Sequence, residues 1–146
     1  MKKVILYVIL LMIVSQIRVN KIDISDLEPV QAVWIRKDGE MYVITTDTED
    51  TGVGRSVKDA LQSMKEKCEK IIYLDTAEYL VVSENCKEAV GDISEFLKDK
   101  VKVCVWNGEG KLENVAEYIK SHRIGIRLKD YISDVKLPII PALSAE

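Results

Sequence analysis

Histidine is nearly missing from this chain. His122 is the only one, which excludes a multi-histidine metal centre and any histidine pair. Cysteine is scarce as well: Cys68, Cys86 and Cys104 are three in number, too few to pair completely within one chain, and none lies in a C-x-x-C spacing for zinc or redox chemistry. They read as buried small hydrophobes. No serine occupies a G-x-S-x-G elbow, and no cysteine has a basic partner that the sequence sets beside it. Carboxylates abound, yet nothing singles out one pair as acid and base, so neither an enzyme nor a cofactor or metal site is expected. A basic stripe interleaved with aromatics is lacking too. With a net charge of -3, broad electrostatic capture of nucleic acid is not expected.

What is present has ordinary globular composition: 146 residues, 47% hydrophobic and 31% charged, the size of one domain. The N-terminus is different material. Lys2 and Lys3 open a basic start, and residues 4–17 are almost uninterruptedly apolar. At roughly 14 residues this run is shorter than a usual membrane span and suits a signal-peptide h-region by length. No small-x-small cleavage site follows, which favours an uncleaved anchor over cleaved export or a buried helix. The expected organisation is residues 1–19 as signal anchor or signal peptide, 20–29 as a polar linker ending at Pro29, and 30–146 as a single α+β domain. The two lysines favour a cytoplasmic N-terminus, with the folded body outside the cytoplasm.

Within the body, residues 30–36 and 41–46 flank Asp38-Gly39, a strong short-range signal for a β-hairpin. The first strand is apolar on both faces, so it is expected to be covered on both sides, with Trp34 in the core. Ser56 is placed as an N-cap, and Val57, Ala60, Leu61, Met64 and Cys68 recur at helical spacing behind it. Gln62 to Glu66 and Glu66 to Lys70 are i,i+4 pairs on the polar side. Residues 71–74 and 79–82 read as strands, interrupted at Asp75-Thr76 by a turn or a break. Asp92 is placed to cap a second helix with Ile93, Phe96 and Leu97 on its apolar side. Residues 101–106 form the next strand, with Val101, Val103 and Val105 towards the core. Leu112, Val115, Ala116 and Ile119 mark a third amphipathic helix, at whose end His122 is expected to cap. Residues 128–132 read as one further helical turn. The expected fold is a mixed β-sheet with amphipathic helices packed mainly on one face, preceded by the N-terminal hydrophobic helix.

Two places invite functional readings. Residues 47–52 superficially resemble the start of a calcium loop, but the twelfth place is Lys58 where a bidentate glutamate is required. Gly52, Gly54 and Ser56, leading into a helix N-terminus, form a possible ligand loop for an anion, although three nearby carboxylates oppose one. An ordinary solvated connection is the plainer reading. The mixed face of the strand at 101–106 presents Lys102, Cys104 and Trp106, a possible partner interface with an aromatic at its centre.

The order of segments is similar to the N-terminal domain of the Ger(x)C-type lipoproteins, the C subunits of spore germinant receptors. The resemblance lies in an early strand ending in an acid-glycine turn (Val33-Trp34-Ile35-Arg36-Lys37-Asp38-Gly39) and in a glycine before an alanine-leucine helix (Gly54 with Ala60-Leu61). It continues in a strand closing on glutamate (Tyr79-Leu80-Val81-Val82-Ser83-Glu84) and in the helix and strand over 93–105. It covers roughly residues 30–118. The lipid-bearing cysteine is absent, and Asp75-Thr76 stands where that family often carries a histidine. The resemblance implies an extracytoplasmic, membrane-tethered binding or assembly domain in a spore-forming bacterium. The functional expectation is therefore a non-catalytic domain that docks to a membrane complex. The alternatives are a small-ligand binding domain or enzyme with a pocket near 52–56, and a structural subunit that forms a homo-oligomer.

Overall fold

The computed structural model describes residues 23–131 and 136–141 together with residues 5 and 143. The expected hydrophobic helix and anchor lie outside the described residues. Among the described residues are eight strands and three helices: β1 (Leu27–Pro29), β2 (Ala32–Asp38), β3 (Met41–Thr46), β4 (Thr51–Gly54), α1 (Val57–Lys67), β5 (Ile71–Tyr73), β6 (Tyr79–Val82), α2 (Ala89–Ser94), β7 (Lys102–Val105), α3 (Leu112–His122) and β8 (Ile126–Arg127). Six strands make one mixed sheet in the order β4-β3-β2-β6-β7-β8, and β1 pairs with β5 in a separate two-stranded ribbon. The fold is α+β with a mixed sheet.

The hairpin forms where Asp38-Gly39 announces it. Asp38 pairs with Met41, and Gly39 takes a φ of +59° at the first turn position, where a side chain would be strained. From this antiparallel corner β2 runs parallel to β6, and β6 parallel to β7. Each parallel step is bridged by a crossover that carries a helix, as a parallel pair requires. A further strand at residues 51–54, read from the sequence as part of a solvated connection, closes one end of the sheet against β3. At the other end, β8 pairs with Lys102 and Val103, and Ile139 bridges to Val105.

Alternate residues of a strand face opposite sides of the sheet. Val33, Ile35, Leu80, Val82, Val103 and Val105 meet α1 and α2 in one core. Ala32, Trp34, Tyr79, Val81, Cys104 and Trp106 meet Leu112, Val115, Ala116 and Ile119 of α3 in a second. Helices α1 and α2 thus share one face and α3 covers the other, because the central strands are apolar on both sides and need a cover on each. Trp34 is buried, as its place in a doubly covered strand requires.

Helix α1 begins as its cap dictates, the Asp59 N–H donating to Ser56 Oγ at 3.1 Å. It ends at Lys67. Gln62 donates to Glu66 at 2.8 Å, but the helix stops before Lys70, which instead reaches Glu28 at 3.4 Å. Asp92 does not cap α2. It lies inside a six-residue helix that begins at Ala89, after a short 3-10 turn at Glu84–Cys86. Across the first core's rim, Lys37 donates to Glu88 at 3.0 Å, which raises the lysine pKa and holds the Glu88 carboxyl below its ordinary value. The 128–132 turn is a 3-10 turn at Leu128–Asp130.

Gly52 and Gly54 explain how α1 lies so near the sheet end. A Cβ on Gly52 would fall on the Ala60 carbonyl oxygen and 2.6 Å from Met64 Cβ, and one on Gly54 would lie 2.6 Å from the Asp59 carbonyl carbon. The obstacles are largely backbone, which cannot step aside. Gly52→Ala is expected to cost about 2 to 3 kcal/mol through forced displacement of α1. Gly91→Ala, inside α2 with nothing within 4 Å of the added carbon, is expected to be neutral or to stabilise by about 0.5 to 1 kcal/mol. Urea midpoints of the two variants measure the contrast.

Candidate functional site

Among the described residues the second face of the sheet is only half covered. Its α3 core contains residues of β2, β6 and β7 but none of β3 or β4. Beyond Trp34 the strand register sets Thr45 and Thr51 in one row, and Arg36, Val43 and Val53 in the next. Val53 is 39% exposed, a branched apolar side chain presented to solvent on an end strand. The Arg36 guanidinium lies 4.7 Å from the Trp34 ring centroid, within the range of a cation–π contact that holds it over the sheet.

Where α3 rises beside this open half, a groove of about 290 Å3 is lined by Trp34, Arg36, Thr45, Glu49, Lys111 and Glu113, among others. Its walls follow from local chemistry. Asp47 turns back on the chain, its carboxylate accepting the Gln31 N–H at 3.0 Å and the Ala32 N–H at 3.1 Å, so this acid is spent on fixing the turn. Thr48 bridges Thr46 and Asp50, each at 2.8 Å. Glu49 then adopts a φ of +68°, uncommon for a residue with a side chain, and its carboxylate comes 3.8 Å from Lys111 Nζ. Lys111 occupies the N-cap position of α3 and makes no side-chain cap. The groove therefore offers a stacked guanidinium, an ammonium, two threonine hydroxyls 3.4 Å apart, and carboxylates of Glu49 and Glu113.

In open sheets with parallel strands, ligands commonly sit where neighbouring strands send their connections in opposite directions. Here β2 leads towards β3 and β6 towards β7, but the space between their carboxyl ends is filled. Cys86 Sγ donates to the Ile35 carbonyl at 3.2 Å, Ser83 N–H to the same carbonyl at 2.9 Å, and Glu84 N–H to Asn107 Oδ1 at 2.8 Å. The open ground lies to one side, on β3 and β4.

The sequence-predicted residues fall elsewhere. Cys104 and Trp106 are fully buried under α3, and Lys102 is half-buried at the β8 pairing, so the interface expected at Lys102, Cys104 and Trp106 is corrected. Their face is core because α3 lies on it. Trp106 packs against Trp34 with ring centroids 4.7 Å apart, and neither indole N–H has a partner among the described residues. Gly52 and Gly54 are not a loop but strand β4, their Cα hydrogens against α1, and Ser56 Oγ is engaged as the cap. Ser56 also borders a shallow cleft of about 250 Å3 faced by Asp92 and Glu95, whose carboxylates oppose an anion there. His122 Nδ1 lies 3.0 Å from the Tyr118 carbonyl at the α3 C-terminus, and its ring stacks on Tyr118. Arg36, Lys111 and Glu49 carry no sequence motif. The pairing of β4 that brings them together is signalled only by the Thr-Gly-Val-Gly run.

Among the described residues no group of three or more His, Cys, Asp or Glu is placed to hold a metal ion, and no helix is long and apolar enough to cross a membrane. No protein-family model, curated protein or solved structure shows significant similarity to the chain.

All three cysteines are free. Burial pushes the Cys104 thiol up to about 12, Cys68 is pushed up to about 11 mainly by burial, and Cys86 is raised for the same reason. These values lie above the ordinary 9.0 of the unfolded thiol, so below pH 9 both states hold the proton. Above it the unfolded chain ionises first and stability falls as pH rises towards the folded values. Urea midpoints are expected to decline between pH 9 and 11, with a shallower slope in Cys104→Ala. Trp106→Ala is expected to cost about 3 to 5 kcal/mol, read from the same denaturation curves.

Proposed function

We propose that this chain is a non-catalytic binding and assembly domain, tethered to a membrane by the apolar segment 4–17 with its folded body outside the cytoplasm. Its contact surface is the uncovered half of the second sheet face. The observation that supports this is the row in which the exposed Arg36 and Val53 flank the buried Val43 beside the Lys111 groove, on a side of the sheet where the α3 core includes no residue of β3 or β4 among the described residues. An exposed branched apolar side chain bordered by charges of both signs suits a protein partner, the charges setting orientation and the apolar side chain supplying area. The resemblance in segment order to the germinant-receptor C subunits favours a membrane complex of spore germination or sporulation as that partner.

The test is photo-cross-linking from position 53 of the full chain in its native membranes. An adduct with another membrane protein, lost in Arg36→Glu and Lys111→Glu, is the expected result. Both residues are exposed, so the melting temperature of each variant is expected to stay close to that of the parent. Cross-linking unaffected by either change would sink this surface. An adduct of twice the chain's own mass would identify the partner as a second copy and make the protein a self-associating subunit.

A further inference from the structure

The β1/β5 ribbon stands apart from the main sheet and has two unlike sides. Ile72 turns inward to the first core, while its neighbours Ile71 and Tyr73 point away and are 49% and 38% exposed. The parallel register sets Leu27 beside Ile71 and Pro29 beside Tyr73. Ile24, in the short 3-10 turn that leads into β1, is 83% exposed. The outward side of the ribbon is thus Leu27, Pro29, Ile71 and Tyr73, without a charged residue among them, and the exposed Ile24 stands three residues before Leu27 in the chain. A contiguous apolar surface of this kind marks a contact rather than ordinary scatter.

From the place of this surface in the chain we infer that it rests on the membrane, against the headgroup and acyl boundary of a lipid leaflet. The inference builds on the tether reading above. Only residues 18–23 separate the apolar segment 4–17 from Ile24, and a link of that length reaches roughly 25 Å at most. A body held so close to a bilayer meets it with whatever lies at the root of the tether, and that is the ribbon. The side chains suit the place. The Tyr73 ring lies among the apolar residues while its hydroxyl reaches Asp75 at 3.5 Å, the arrangement of an aromatic at the interface, apolar body inward and polar tip wet. Asp23 and Asp26 flank Ile24 in the chain, Asp75 follows Tyr73 closely and lies 3.7 Å from Lys98, and Lys70 precedes Ile71, so the rim carries charges of both signs. Such a rim suits a zwitterionic headgroup, which carries both charges itself.

Because β1 and β5 feed the amino-terminal ends of β2 and β6, seating the ribbon on lipid turns the carboxyl-end loops at 83–88 and 106–111 away from the membrane.

The test uses the full chain with Cys68→Ala, reconstituted into zwitterionic phospholipid vesicles. An environment-sensitive fluorophore is attached in turn at Ile24→Cys, Ile71→Cys, Val8→Cys and Glu117→Cys, the last on the exposed side of α3. Lipids carrying a quencher at the upper acyl chain are expected to remove most of the emission from positions 8, 24 and 71 and to leave 117 unchanged. Ile71→Asp with Tyr73→Asp is expected to abolish quenching at 24 while sparing 8. Quenching at 8 alone would overturn the contact and leave the tether standing. No quenching anywhere would remove the tether and the contact together. Energy transfer between copies labelled at 71, without quenching by lipid, would give this surface to a second copy and overturn the inference.

Discussion

Three strands with no polar side hold this molecule together. Ala32 to Ile35, Tyr79 to Val82 and Val103 to Trp106 are buried on both faces of the sheet. A strand of that composition must be central and covered twice, since exposing either row would cost roughly 1.5 to 3 kcal/mol for each large side chain. The parallel order β2-β6-β7 and the placement of α1 and α2 on one face and α3 on the other both follow from that demand.

What surrounds this centre is thinner, and each thinning has a cause in small residues or short elements. At the β4 end, two glycines bring the α1 backbone nearly onto the strand, so the first face is sealed without a side chain between. The second face has one helix of eleven residues to cover it. That helix is committed to the two tryptophans and to Cys104, and its core includes no residue of β3 or β4. Among the described residues one helix thus serves this face of a sheet six strands wide. Arg36 stacked on Trp34 belongs partly to the core and partly to this surface, which ties the groove's geometry to the packing beneath it.

Two surfaces of different character result. The ribbon at the root of the apolar leader is apolar outward, and the β3–β4 half-face mixes charge with a branched apolar side chain. On the proposed reading the first lies flat on lipid and the second is left for a protein partner. Neither surface draws on the free thiols, which burial keeps protonated well beyond neutral pH.

Local chemistry was legible where it acts over a few residues. The Ser56 cap, the Asp38-Gly39 turn, the periodicity of α1 and α3, and the doubly apolar β2 depend on neighbours in the chain, and each stands as its spacing indicates. Strand β4 was hidden because two glycines carry no propensity for a strand, and the structure uses them for what they lack. Asp92 failed as a cap because α2 starts three residues earlier. The readings of Lys102, Cys104 and Trp106 as surface and of Gly52 and Gly54 as a loop failed for a shared reason: whether a face is covered depends on where a distant helix lands. From the residues alone came the class of fold, the hairpin and the Ser56 cap. Tertiary structure alone decided which side α3 covers, that Arg36 and Lys111 share a groove, and that β1 leaves the main sheet to pair with β5, because each of these is a contact between segments far apart in sequence.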